Sequence, residues 1–296
     1  MNDAVISRGV RAQLSAVKQT ASSIAHRQER ISTGKKVNSA VDDAIAFFKA
    51  RDLTFRASDL ASTKAQMTGA IAVISASISG LESVEAVLKQ MKALAQTAIA
   101  TPTSTARAGL ASQFIELRSQ VDGVLADASF DGINLLKGSF SDAAMGDRLT
   151  VKFNERTGSR AVNQLLVSGL SDSDVRSILV DTESGQGGAS ATQAWGQSGP
   201  GALAAMTSAI RAIDSALATV RQSAHSFGTL ASLIEARRKF TNEIIGTLRD
   251  GAAALVDADL NEESANLLSL QTRQQLGMTA LGLRGGSLTS LLERLL

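Results

Sequence analysis

Residues that commonly carry catalysis are few in this sequence and lie far apart. Its two histidines, His26 and His225, fall on separate stretches of helical spacing, and there is no cysteine to act as a nucleophile or metal ligand. The adjacent pair Glu262 and Glu263 could bind a metal or exchange a proton, but neighbouring side chains on a helix diverge by about 100°. An acidic first turn of a helix explains this pair better. We therefore predict no enzymatic activity, no metal and no cofactor.

The composition is typical of long helices packed by small side chains. The 296 residues include two prolines, nine phenylalanines and one tryptophan, while 44% of the chain is apolar. A net charge of +2 offers no broad basic surface to nucleic acid. The chain has no run of eighteen apolar residues, which predicts no membrane insertion. Residues 1–20 lack the apolar core of a cleavable signal peptide.

Apolar residues recur in steps of three and four along five stretches, the spacing of helices that pair through one face. These stretches cover residues 10–31, 67–98, 110–128, 203–255 and 260–295. The first and the last need partners, because a bare heptad row is not stable in water. We predict that they form an inner assembly seam, which consists of Val10, Leu14, Val17, Ile24, Ile31, Leu260, Leu267, Met278, Leu281, Leu288, Leu292 and Leu295.

Charge favours pairing between the two ends of the chain. Residues 1–36 carry seven basic and two acidic side chains, and residues 257–296 carry five acidic and three basic ones. Two independently solvated helix faces would give the same counts, so charge alone leaves both interpretations open.

Residues 141–199, between the helical stretches, follow another pattern. Leu149, Val151 and Phe153 alternate with polar residues, which predicts a strand, and residues 165–167 and 178–180 are further strand candidates. Segment 184–190, rich in glycine and serine, is typical of a surface loop and lacks the features of a phosphate-binding loop. Trp195 is the residue here that could stack on a glycan, although a packing role fits it better.

Residues 31–44 predict a short connector between two helices. Gly34 can end the first helix in a left-handed conformation. Ser39 and Asp42 have the spacing of a capping box, with Asp in place of Glu, which predicts that the next helix opens at Ser39. The connector residues are Gly34, Asn38, Ser39, Asp42 and Asp43.

Three motifs in order along the chain resemble those of bacterial flagellins. Segment 31–44 is similar to the connector after the first flagellin helix, and Phe130–Leu136 resembles the turn after the third. Residues 257–277 resemble the C-terminal helix of the family. The resemblance covers residues 1–140 and 200–296 and leaves the insert unmatched.

This resemblance implies a mainly α fold, in which long coiled-coil helices from both termini pack as a bundle with a small β-hairpin insert. Residues 1–45 and 253–296 would form an inner coiled-coil core domain. Residues 46–140 and 200–252 would form an outer helical-bundle core domain, and residues 141–199 a short surface insert with β-strands.

The resemblance also implies a structural subunit that polymerises into the helical flagellar filament for swimming and is secreted to the extracellular flagellum. Its expected partners are further copies of itself, the flagellar type III export apparatus, a secretion chaperone, the filament cap and hook-associated proteins. Two alternatives stay open. One is a hook–filament junction protein of the same family, and the other is a flagellin-like surface protein that binds glycans through the insert.

Two surface features are expected on the same resemblance. An innate immune receptor binds a segment of the middle helix in other flagellins. The flagellins that it recognises carry Arg and Glu at two positions where this chain has Gln90 and Ala93. We expect weak recognition, because a multi-donor cation and an acceptor are lost. The segment comprises Leu88, Gln90, Lys92, Ala93 and Leu94. The expected O-glycosylation sites, with an unmodified polar loop as the alternative, are Ser184, Ser190, Thr192 and Ser198.

Overall fold

The computed structural model describes residues 8–137, 148–155, 163–171, 174–175, 178 and 194–293, with the backbone alone at residues 8, 10 and 284–293. Some of the predicted side chains lie outside this description, namely Val10, Leu288, Leu292, Leu295, Ser184, Ser190 and Thr192.

Long helices account for most of the described residues. They are α1 (Arg8–Thr33), α2 (Ala44–Ala100), α3 (Ser104–Asp127), α4 (Pro200–Val256) and α5 (Leu260–Glu293). Strands β1 (Arg148–Lys152) and β2 (Gln164–Ser168) pair antiparallel. The fold is therefore mainly α with a small β-hairpin, as the sequence predicts.

The chain forms two compact units. The terminal unit contains residues up to Ala57 and from Gly246 onward, and the central unit is Ser58–Ile245. The central unit holds a deep hydrophobic core. One face of α2 contributes Ile74, Leu81, Val84, Leu88 and Met91, all without exposed surface. Residues of α3 and α4 complete this core, among them Phe114, Val121, Leu125, Met206, Ile213, Val220 and Ile234.

The β-hairpin packs one face against this core. Val151 and Val167 are buried, whereas Leu166 is 51% exposed, because successive side chains of a strand point to opposite faces. The strand predictions at residues 149–153 and 165–167 are thus confirmed. The third strand prediction is wrong at Ile178, which is buried in a helical turn, and residues 179–180 lie outside the described part of the chain.

The turn after α3 is built by its own side chains. Asp131 and Gly132 have φ angles of 52° and 76°, a left-handed pair that suits a tight turn. Phe130 and Ile133 exchange two backbone hydrogen bonds of 3.0 Å across it. The Asn134 side-chain amide donates to the carbonyls of Leu125 and Ala126, which lack helical partners at the end of α3.

Two helices also pass a length-and-hydropathy test for crossing a membrane. Windows of eighteen residues in α2 and α4 are apolar enough on average, and 39% and 33% of the residues in them are buried inside the protein. Core helices of a water-soluble bundle pass the same test, so it does not separate the two classes of helix.

Candidate functional site

In the terminal unit, α1 and α5 pack side by side around an ion cluster whose carboxylate is buried. Glu263, in the first turn of α5, is only 6% exposed. Arg27 donates a hydrogen bond to its Oε2 atom, and Arg30 donates one of 3.3 Å to its Oε1 atom. Each carboxylate oxygen therefore has its own cation on the facing helix.

Two opposing effects act on the pKa of Glu263. Burial raises it, but the hydrogen bonds and positive charges of Arg27 and Arg30 together outweigh burial, and the pKa lies below its ordinary value of 4.5. The carboxylate is therefore ionised at neutral pH, and the cluster links α1 to α5 electrostatically.

The connectors that precede α2 and α5 are also joined, through their backbones. Lys35 and Asp257 form an isolated antiparallel bridge. Lys36 N–H donates to Val256 O at 2.7 Å, and Ala258 N–H donates to Gly34 O at 2.9 Å. These bonds set the register in which α1 meets α5.

Close packing between α1 and α5 involves only some of the predicted seam. Ile24 is buried, and Val17, Ile31, Leu267 and Leu281 are half-buried. A Cβ added at Gly277 would lie 3.0 Å from Val17 Cγ2, so Val17 would have to shift by a few tenths of an ångström to admit it.

Three other predicted seam positions do not belong to the contact between α1 and α5. Leu14, Leu260 and Met278 are 40%, 48% and 52% exposed. They are exposed within one chain, so their role in an assembly seam stays a prediction. A second row of α5 is uncovered as well, with Leu268 and Leu276 each 66% exposed.

The connector differs from the predicted capping box. Gly34 has a φ angle of 71° just after α1, as predicted. However, α2 begins at Ala44, and its cap is Asp43, whose Oδ1 accepts from Ala46 N–H at 2.9 Å. Ser39 and Asp42 instead close a separate turn, in which Asp42 Oδ2 accepts from the Asn38 and Ser39 N–H groups. The short Asp side chain favours this local turn over a helix start.

The predicted receptor-like segment lies on α2 of the central unit. Gln90 and Ala93 are exposed, whereas Leu88 is fully buried and so cannot contact a partner. The Lys92 ammonium pairs with Asp214 of α4. Leu94 is half-buried. Leu88 is therefore not accessible to a receptor, unlike Gln90 and Ala93 of the same segment.

Trp195 is a packing residue of the central unit. It is 1% exposed, and its ring centroid lies 5.2 Å from that of Phe114. Arg107 donates to the carbonyls of Trp195 and Gln197 and also to those of Thr101 and Pro102. The tryptophan face is therefore covered, and it is not available to stack on a glycan. Ser198, one of the expected modification sites, is exposed beside this segment.

The histidines show no catalytic arrangement. His26 and His225 are exposed on α1 and α4. In the part of the chain that the structure describes, no group of three or more His, Asp or Glu side chains is placed to bind a metal ion.

Sequence reasoning missed two functional contacts. Glu263 lies four residues before Leu267, on the heptad row itself, and a carboxylate at a core position was the signal for a facing cation. The role of Arg107 has no comparable signal, since its partners are backbone carbonyls, two of them about ninety residues away in the sequence.

Comparison with known proteins agrees with this architecture. A model of the bacterial flagellin N-terminal helical region matches residues 10–141, and one of the C-terminal helical region matches residues 210–283. Flagellin FljK of Caulobacter vibrioides is 29% identical over 99% of this chain and 98% of its own length. Flagellin FljJ of the same organism is 30% identical over 88% of this chain and 86% of its own.

A solved structure shares the fold as well. A Vibrio parahaemolyticus chain described as a flagellar hook-associated protein aligns with a TM-score of 0.59 and 17% identity, over 73% of this chain and all of its own. At this identity the likeness concerns the fold alone. The family models and the relatives, together with helices paired across the two ends of the sequence, show that the chain belongs to the bacterial flagellin family.

Proposed function

We propose that this chain polymerises through its terminal unit into the helical filament of the bacterial flagellum. Flagellins are structural proteins of the extracellular filament and not enzymes. The observation that carries the proposal is the uncovered leucine row of α5, including Leu268 and Leu276, beside a helix pair that is already joined. Such a row is stable only when neighbouring copies cover it, and a contact repeated head to tail yields an open fibre. The comparisons do not favour the junction-protein or glycan-binding alternatives.

The domain assignment is part of this proposal. Residues 1–45 and 253–296 form the inner coiled-coil layer, residues 46–140 and 200–252 form the outer helical bundle, and residues 141–199 form the surface insert. The ion cluster at Glu263 and the bridge between Lys35 and Asp257 support the inner pairing, because they tie α1 to α5.

Export and accessory partners follow from the same role. The chain leaves the cell through the flagellar type III export apparatus, is held by a secretion chaperone before export, and meets the filament cap and hook-associated proteins at assembly. Two prolines and ten aromatic residues in 296 support this route, because few rigid or bulky side chains hinder a threading chain that refolds as helices. Nucleic acid and membrane insertion have no part in it.

The surface expectations also remain proposals. O-glycosylation is proposed at Ser184, Ser190, Thr192 and Ser198, and the intact mass of filaments sheared from native cells tests it. A mass equal to that of the bare chain, allowing for loss of Met1, excludes modification. Weak recognition by the innate receptor is proposed for Gln90, Ala93 and their neighbours. Pairing of Lys92 with Asp214 supports it, because the ammonium is already engaged.

Electron microscopy of the purified chain tests the proposed function. The wild-type protein should form long filaments, whereas Leu267→Asp and Leu281→Asp should secrete normally but fail to assemble. A carboxylate placed in the inner contact costs on the order of several kcal/mol in every subunit. Ser83→Asp, at an exposed position of α2 in the central unit, is the matched control and should assemble. Normal swimming by cells whose sole flagellin carries either leucine substitution would contradict the proposal.

A further inference from the structure

The first turns of α2 expose large apolar side chains along one helix face. Ile45, Phe48 and Phe55 are 81%, 54% and 54% exposed, and their spacings of three and seven residues align them. We call these three residues the aromatic stripe. No described part of the terminal unit covers it.

The two rings of the stripe are already held in place by their neighbours. Phe47 meets Phe48 edge to face with ring centroids 5.5 Å apart, and the Arg51 guanidinium lies 5.1 Å from the centroid of Phe55. A partner that covered these rings would therefore lose less free energy to side-chain ordering than with mobile side chains. Aromatic anchors of this kind are enriched in protein interfaces.

Helix α5 of the same unit carries a shallow groove of about 480 Å³. Leu268 and Leu276 border it, each 66% exposed, and the small residues Ala265, Ser269 and Thr272 lie between and beside them. Arg273 completes the lining. Small side chains framed by leucines form the kind of hole that receives a large side chain from another helix. We call this surface the leucine groove.

The stripe and the groove have the same pitch. Phe48 and Phe55 are seven residues apart, as are Ala265 and Thr272, and seven residues span about 10.5 Å along a helix. Two rings can therefore enter two successive small-residue positions without either helix deforming.

We propose that the aromatic stripe of one copy docks in the leucine groove of a second copy of this chain. The inference rests on the proposed function and names the two complementary surfaces of the filament contact. Both surfaces are exposed at once within one copy, so they do not cover each other. Because the two surfaces differ, every docked copy leaves one stripe and one groove free, and growth continues.

Matched substitutions in the full-length chain test the stripe. Phe48→Ser and Phe55→Ser should each raise the critical concentration for polymerisation roughly tenfold or more, the loss typical of truncating an aromatic anchor. Phe240→Ser is the control, because Phe240 is equally exposed at 54% but lies on α4 of the central unit. It should change the critical concentration less than about twofold.

The groove is tested by filling it. Thr272→Phe should block docking while leaving the circular dichroism of the monomer unchanged, because Thr272 is exposed in one copy. Unimpaired assembly of this variant would overturn the inference.

Disulfide trapping tests contact directly, since the chain has no cysteine of its own. Phe48→Cys combined with Ala265→Cys, or with Thr272→Cys for the opposite helix direction, should give a ladder of covalent multimers after oxidation of filaments. Phe48→Cys alone should give no ladder. Covalent dimers from Thr272→Cys alone would show that two grooves meet each other, which overturns the inference.

Failure of this inference is distinguishable from failure of the proposed function. If the wild-type chain never polymerises, the proposed function is wrong. If it polymerises and both serine variants match it with no ladder from either cysteine pair, then only the docking of stripe in groove is wrong.

Discussion

The central and terminal units are built from similar helices but bury their apolar residues to different depths. In the central unit, Ile74, Leu81, Leu88 and Ile213 have no exposed surface. In the terminal unit, the best-covered apolar residue of α1 is Ile24, at 8% exposed. Among the described side chains of α5, only a carboxylate, that of Glu263, is buried.

This difference indicates that the central unit folds stably within one chain, whereas the terminal unit is completed by contacts with neighbouring copies. Complete burial of a leucine or isoleucine stabilises a fold by about 1.5–3 kcal/mol. The central unit gains this burial free energy within one chain. The terminal unit leaves much of the gain unrealised on its exposed leucines, where a neighbouring copy can supply it. Four experiments test this contrast between the two units.

The largest effect is expected from removing α5. A chain lacking residues 257–296 should remain a soluble monomer with a folded central unit, because the core of Ser58–Ile245 does not use these residues. Electron microscopy should show no filaments, while circular dichroism retains a cooperative helical melt. Long, normal filaments from the truncated chain would show that the terminal unit is dispensable.

Paired leucine truncations should separate stability from assembly. Leu88→Ala leaves a cavity in the central core and should lower the free energy of unfolding by about 2–5 kcal/mol. Leu268→Ala, at a position 66% exposed, should change that free energy by less than about 0.5 kcal/mol yet weaken polymerisation. Urea unfolding of the monomer and the critical concentration provide the two measurements. Equal destabilisation by both substitutions would contradict the contrast between the units.

The ion cluster predicts a pH dependence confined to the terminal unit. Because the pKa of Glu263 is lowered on folding, its stabilising contribution is fully present above pH 4.5 and is lost as pH falls through the lowered value. At pH 7, Glu263→Gln should weaken the pairing of α1 with α5 by roughly 1–3 kcal/mol. The lower part of this range is expected, because Arg27 and Arg30 are 31% and 37% exposed and solvent screens them.

Amide hydrogen exchange along α1 measures this effect site by site. The protection factors of the α1 amides, which correct for the slowing of intrinsic exchange in acid, should fall in Glu263→Gln at pH 7, and in the wild type as the pH falls below 4.5. Glu262→Gln is the matched control, since Glu262 is exposed in the same helical turn. Unchanged protection of α1 in Glu263→Gln would show that the ion cluster does not stabilise the pairing of α1 with α5.

The smallest effect concerns the start of α2. Asp43→Ala removes the helix cap and should cost about 1 kcal/mol, seen as faster exchange in the first turn of α2. Ser39→Ala affects only the preceding turn and should leave that exchange unchanged. Faster exchange in Ser39→Ala, with unchanged exchange in Asp43→Ala, would show that Ser39 caps α2.

Local features of this fold were predictable because they depend on near neighbours. The heptad spacing predicts the helices, alternation predicts β1, and the short apolar run at residues 165–167 predicts β2. Gly34 ends α1 in a left-handed conformation, and the break between α2 and α3 falls at residues 101–103, where Pro102 disfavours helix. The family could likewise be identified from three motifs, each carried within a short segment.

The tertiary structure alone decided which side chains meet. The heptad row distinguishes Glu263 from Glu262, but only the helix pair shows that the cations facing Glu263 are Arg27 and Arg30. Leu260 and Leu267 share one heptad row, yet one is exposed and the other half-buried. Heptad spacing determines the face that a residue occupies on its own helix. The register of the partner helix determines what covers that face, and here it is set by backbone bonds between connectors more than two hundred residues apart.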